Sequence, residues 1–202
     1  MKKIILTAVA VFALSFANAQ EKKETGFGYA KGDFVLGGNF KSSSLTDDIN
    51  GGDTKTSSLT IGPDVNYFMT DNVTLELGIS LGTTKYADGK NGTTYSVLVG
   101  SRYYFLNLGE RFKTYTNFGL KFVSDDNNIG VGDSNTISLG AGAGIGINYF
   151  LTSRIAIDFG LANIIDYKAT SKAANNSTSF DVNLNEFNNF FSKPTFGVSY
   201  KF

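Results

Sequence analysis

Five charged residues hold the positions where chemistry would reside: Asp64, Glu76, Arg102, Lys121 and Asp158. Each lies in a segment where apolar and polar residues alternate, and each takes the polar phase. Three carboxylates raise the question of paired-acid hydrolysis, which needs two acids flanking one bond. Nothing in their spacing sets up such a pair, and acids facing a polar interior are expected in any case. Glu76 and Arg102 sit in neighbouring segments at similar depth, where a guanidinium and a carboxylate satisfy each other's charge. The expectation is a structural lumen charge network and no enzyme activity. A charged constriction for solutes is the alternative.

Two absences narrow the chemistry further. With no histidine, neither a Ser-His-Asp triad nor a histidine zinc site can be built. With no cysteine, disulfides, thiolate metal sites and thiol nucleophiles are excluded. Asp47-Asp48 and Asp125-Asp126-Asn127-Asn128 offer oxygen ligands for calcium, but neither run has EF-hand spacing and both read as solvated acidic loops. No cofactor and no metal site is expected. Lys+Arg and Asp+Glu both number 18, so no basic excess attracts nucleic acid.

The elements that position these residues read as strands. Eight segments alternate at period two, at about 33–42, 57–68, 73–83, 93–105, 112–122, 136–150, 154–165 and 193–202. The third is the cleanest, with Val73, Leu75, Leu77, Ile79 and Leu81 against Thr74, Glu76, Gly78, Ser80 and Gly82. In the seventh, Ile155, Ile157, Phe159 and Leu161 oppose Ala156, Asp158, Gly160 and Ala162. Each segment suits a tilted span of roughly 9–11 residues, and eight is an even number, as single-chain bacterial barrels have.

The even segments end alike, in Asn66-Tyr67-Phe68, Tyr103-Tyr104-Phe105, Asn148-Tyr149-Phe150 and Tyr200-Lys201-Phe202. Three of these endings precede a short connection: Met69 to Asn72, Leu106 to Arg111, and Leu151 to Arg154. The other connections, about 43–56, 84–92, 123–135 and 166–190, are longer and polar. Aromatic rings at one depth form an interfacial girdle, here expected from Tyr67, Phe68, Tyr103, Phe105, Tyr149, Phe150 and Tyr200. The face rich in Leu, Ile and Val then points to lipid, and the Gly, Ser, Thr and Asn face lines the lumen. In the sixth segment Gly140, Gly142, Gly144 and Gly146 all face inward, making room for large groups such as Arg102, Tyr104 and Tyr115. A narrow solute path along that lane is the alternative. The last long connection, with Asn175 to Thr178 and then Phe180 to Phe191, is aromatic enough to cap the barrel or touch a partner.

The run Pro63 to Asn72 and the ending Phe196-Gly197-Val198-Ser199-Tyr200-Lys201-Phe202 carry a resemblance. The chain resembles outer-membrane β-barrel domain proteins of the Bacteroidetes type, small and porin-like, and more distantly the barrels of the OmpA transmembrane-domain and OmpX type. The resemblance covers residues 32–202 and is specific for architecture far more than for function. It implies that Phe202 closes a C-terminal signal similar to the one read by the barrel-assembly machinery. Unlike full-length OmpA, the sequence stops at Phe202, with no peptidoglycan-binding domain expected.

Lys2 and Lys3, the apolar run Ile4 to Phe16 and the small-x-small site Ala17-Asn18-Ala19 read as a signal peptide. The run is short for a spanning helix of roughly 20 residues. The domain plan is residues 1–19 signal peptide, 20–31 a short periplasmic segment, and 32–202 the barrel. The fold class is all-β: an eight-stranded antiparallel up-and-down transmembrane β-barrel behind a cleaved signal peptide. The chain is expected in the cell outer membrane, monomeric, with both mature termini periplasmic. Its expected partners are outer-membrane lipid, the assembly machinery and a surface ligand on the long loops. The leading function is a structural or surface-interaction role. The runner-up is a narrow channel for small solutes, and the third reading is a soluble periplasmic lipocalin-like binder.

Overall fold

The computed structural model describes residues 26–49, 52–86, 89–127, 134–171, 176–183 and 195–202. The expected signal peptide lies outside them. Nine strands run in order: β1 (Phe34–Ile49), β2 (Gly52–Phe68), β3 (Val73–Lys85), β4 (Asn91–Leu108), β5 (Phe112–Asn127), β6 (Ser134–Phe150), β7 (Ile155–Ser171), β8 (Asn176–Val182) and β9 (Thr195–Lys201). Neighbours pair antiparallel from β1 to β7, and β9 bridges β1 to β7 to close the wall. The wall is an eight-stranded barrel. β8 and β9 share its last position, because β9 pairs with Ile155 to Gly160 of β7 and β8 with Ile165 to Ser171. The row through Gly37 reaches β7 at Lys168 by way of β2 to β6, but at Ala156 by way of β9. That offset is the stagger of tilted strands.

The short connections are built as expected. Met69 and Leu151 each donate a backbone N–H to the carbonyl four residues on, at 2.9 and 2.8 Å. In both turns a threonine hydroxyl, Thr70 or Thr152, accepts from the next two free N–H groups. Gly109 takes a φ of 73° in the third turn, where a Cβ would be strained. This is the turn side of the barrel.

The other side departs from expectation. In the stretches 43–56, 84–92, 123–135 and 166–190, read as loops, most of the described residues are paired strand. Ser43 bonds Ser58 at 2.7 Å, Thr94 bonds Asp125 at 2.5 Å and Ser138 bonds Thr170 at 3.0 Å. Backbone ladders need no apolar alternation, so strands continue past the point where Leu and Ile give way to Ser, Thr and Asp.

Apolar side chains point outward. Ile79, Phe118 and Val198 are 62%, 59% and 59% exposed, and Leu77, Leu120, Leu139 and Phe196 share that surface. Such a belt far exceeds the apolar patches of soluble monomers and calls for lipid around it. A soluble binding barrel has the opposite polarity, so that reading is set aside.

Two girdle residues are corrected. Phe68 and Phe150 are fully buried in the lumen. Each sits two residues beyond an inward asparagine, Asn66 or Asn148, and strand periodicity gives it the same face. Tyr67, Tyr103 and Phe105 stay outside, 46%, 51% and 48% exposed. Tyr149 packs on Phe112 at 4.6 Å, and Tyr200 on Phe202 at 4.7 Å. Phe202 also donates its N–H to the Phe34 carbonyl at 2.9 Å. Leu161 is corrected as well. The β6–β7 register shifts between Ala143 and Gly144 and between Ile145 and Gly146, and Leu161 lines the interior.

Candidate functional site in the barrel lumen

The interior is layered. At the turn side, residues 26–33 fold back into the barrel mouth. The Tyr29 ring stacks on Phe68 at 4.3 Å and lies 5.0 Å from both Tyr104 and Phe150. Lys201 donates its Nζ to the Gly28 carbonyl at 2.6 Å, and the Lys31 N–H reaches Asp71 at 2.8 Å. The Gly32 N–H reaches the Phe68 carbonyl at 2.7 Å, and the Arg111 guanidinium covers Phe27 at 4.4 Å. Burial pushes the Tyr29 phenol above its ordinary range, so that side chain docks uncharged. The sequence reading left residues 20–31 as a periplasmic segment. The signal within it is the Gly26-Phe27-Gly28-Tyr29 alternation, two aromatic rings carried outside any strand.

Arg102 from β4 occupies the next layer. Its Nε and Nη2 grip both Glu76 oxygens, at 3.1 and 2.8 Å, in a bidentate fork. Its Nη1 donates to Asp158 of β7. Asp64 of β2 stands farther off, 3.8 Å from Nη2, and accepts from the Asn66 amide at 2.7 Å. The guanidinium lies 4.8 Å over the Tyr115 ring, whose hydroxyl donates to Asp158 at 2.6 Å. Tyr104 donates to Asn148 at 2.9 Å. Tyr115 joins Arg102 as the glycine lane led one to expect, whereas Asn66, Thr74 and Asn148 also belong to this cluster and periodicity alone did not single them out.

Glycines make the cluster fit. A Cβ on Gly146 would collide with the Tyr115 hydroxyl, and one on Gly37 would meet the Asp64 carboxylate at 2.6 Å. A cavity of about 280 Å³ remains beside the cluster, lined by Asp64, Glu76, Arg102, Leu98 and Asn117 among others. Thus Asp64, Glu76, Arg102 and Asp158 come together, whereas Lys121 lies nearer the loop side and is exposed. Glu76 and Asp158 are held by Arg102, which suits a fixed brace better than a proton donor that must move. Of the calcium candidates, Asp125 accepts from Thr94. The side chains of Asp47, Asp48, Asn127 and Asn128 lie outside the described residues, as does the 184–191 part of the expected cap.

A family model described as an outer membrane protein beta-barrel domain matches residues 4–202. Among solved structures, the outer membrane protein OprG from Pseudomonas aeruginosa aligns with a TM-score of 0.53 at 18% identity, covering 88% of this chain and 99% of that one. The outer membrane protein W of E. coli aligns at 0.47 with 16% identity, covering 86% and 99%. At 18% identity the likeness to OprG is one of fold alone. No curated protein matches the chain.

Proposed function

The chain belongs to the outer membrane protein β-barrel domain family, and from that premise we propose that its barrel is a closed anchor whose loop-side hairpins do the work. It is an integral outer-membrane barrel in contact with lipid. The observation that carries the reading is the interior: Tyr29 is stacked into the turn-side mouth and the Arg102 network fills the layer above. In this reading the two layers together close the lumen while the N-terminal segment is docked. The hairpins that end in β1–β2 and β7–β8 extend past the apolar belt and would present Phe180, 66% exposed, to a surface partner.

In this reading the turn side and both mature termini face the periplasm, the hairpins face outward, the barrel works as a monomer, and the assembly machinery inserts it. It catalyses nothing and binds no cofactor. The narrow-channel reading has one observation in its favour, the 280 Å³ cavity, and it needs Tyr29 to leave the mouth.

The test is planar-bilayer conductance of the refolded chain, with an unboiled-gel mobility shift to confirm folding. A folded, electrically silent barrel is expected. Discrete steps from the unmodified chain would overturn the closed anchor. Protease cutting in the hairpins on intact cells is expected in addition, and protection there would reverse the orientation.

A further inference from the structure

Asp64, Glu76 and Asp158 share the Arg102 guanidinium, and among the described residues Arg102 is the one cation paired with any of them. Three carboxylates around one guanidinium give the layer an excess of negative charge. Donors reach five of the six carboxylate oxygens. Both Glu76 oxygens accept from Arg102, the two Asp158 oxygens accept from Arg102 and Tyr115, and Asp64 Oδ2 accepts from Asn66. Asp64 Oδ1 accepts a hydrogen bond from no described residue, although Asp64 is only 8% exposed. A buried carboxylate oxygen without a donor is costly and calls for a ligand.

Asp64 lines the cavity of about 280 Å³ on the loop side of Arg102. Gly78 pairs with Asp64 on one side and with Leu98 on the other. A Cβ on Gly78 would stand 3.5 Å from the Cβ of each, so the glycine keeps the floor between the acid and the leucine open. Leu98 and Leu161 form an apolar part of the wall, and Asn117 adds a side-chain amide that bonds to no described residue. The volume falls just below the roughly 300–1,000 Å³ of sites for drug-sized ligands, which suits a smaller molecule. Nearer the loop side, Lys41, Lys121 and Lys168 share the inward face with Asp125, Asp166 and Asp181, so the approach carries both signs in equal number.

We propose that this cavity binds a small primary alkylammonium ion, with its ammonium group on Asp64 Oδ1 and its short chain against Leu98 and Leu161. An ammonium group brings a positive charge and three N–H donors. The charge offsets the excess of carboxylates, and one donor satisfies the lone oxygen in a charge-assisted bond. A bare metal ion fits this wall less well. Among the described residues no three acidic side chains are arranged to hold one, and the leucines offer no oxygen ligand. A quaternary ammonium has the charge but no N–H to give. Binding from the loop side stops at the Arg102 layer, so it does not depend on whether the barrel conducts.

The experiment is calorimetric titration of n-butylammonium chloride into the refolded full chain in zwitterionic detergent at neutral pH. Sodium chloride holds ionic strength constant, so that general screening cancels. Saturable one-to-one binding is expected, and tetramethylammonium is expected to compete far more weakly than a second primary amine, ethylammonium. Asp64→Asn is expected to weaken binding about tenfold or more, the scale of one hydrogen bond to a charged group. Gly78→Val, which fills the floor and keeps every charge, is expected to weaken it similarly. Asp126→Asn, which removes an exposed acid at the loop-side end of β5, is expected to bind as the parent does. Gel mobility reports folding of each variant, and one folded site variant suffices for the reading. Unsaturable binding overturns the proposal, as does competition by tetramethylammonium equal to that by ethylammonium; both are read on the unmodified chain. Parental affinity in a folded site variant, or an equal loss in Asp126→Asn, overturns it as well.

Discussion

Arg102 holds three strands together through its side chain, and its removal is the most informative single change. Arg102→Gln leaves Glu76 buried and Asp158 partly buried without their cation, a class of change that costs about 3–5 kcal/mol. Arg102→Lys keeps the charge but loses the fork to Glu76, so it is expected to recover only part of that loss. Denaturant unfolding in lipid vesicles measures both, and equal stability of all three proteins would mean that the network is not a brace. The glycines offer a paired test in the same assay. Gly146→Ala drives a methyl into Tyr115 and is expected to cost about 1–3 kcal/mol. Gly38→Ala meets nothing within 4 Å and is expected to change little. Equal effects would contradict the packing of Tyr115. The Glu76–Arg102 pair was legible in the sequence, because both take the polar phase of one hairpin. That Asp158 joins them was not, because β7 reaches β4 only across the closed barrel.

The strands themselves were legible from alternation, and their turn-side ends from the repeated aromatic endings. Their loop-side ends were not, because period-two hydrophobicity reports burial against lipid and fades where the ladder leaves the apolar zone. Phe68 and Phe150 misled for another reason. An aromatic pair beside a turn looks like a girdle as a unit, but adjacent strand residues face opposite ways, so one ring of each pair enters the lumen. Those inward rings are the socket for Tyr29. Tyr29→Ala removes the stacked ring from Phe68, Tyr104 and Phe150, and it is expected to open the turn-side mouth to solutes that the Arg102 layer admits. The expected record is a barrel that still shifts on an unboiled gel but shows brief conductance steps absent from the parent. A variant as silent as the parent would place the barrier at the Arg102 layer alone. Phe68→Ala, which empties the centre of the socket, is expected to cost about 3–5 kcal/mol of stability as well.

At the scale of the whole molecule the barrel is inside-out relative to a water-soluble one, and this polarity decides what solvent it can live in. Ile79 stands at the middle of β3, exposed, with Leu77 and Leu81 on the same outer face. Its neighbour Ser80 faces the lumen and bonds Ser96 at 2.5 Å. Placing a cation on the outer position moves a charge into hydrocarbon, whereas the inner position stays beside polar groups and water. Ile79→Lys is therefore expected to lose about 2–4 kcal/mol in vesicle unfolding, the range for a basic side chain near a bilayer midplane. The loss should shrink when the same substitution is moved to Phe105, beside the turns, where the ammonium reaches the interface. A soluble barrel would show no such gradient, because a lysine on a water-exposed surface costs little at any height. The depth dependence thus tests the lipid-facing exterior directly, and a flat profile along the outer face would remove the membrane from the explanation of this fold.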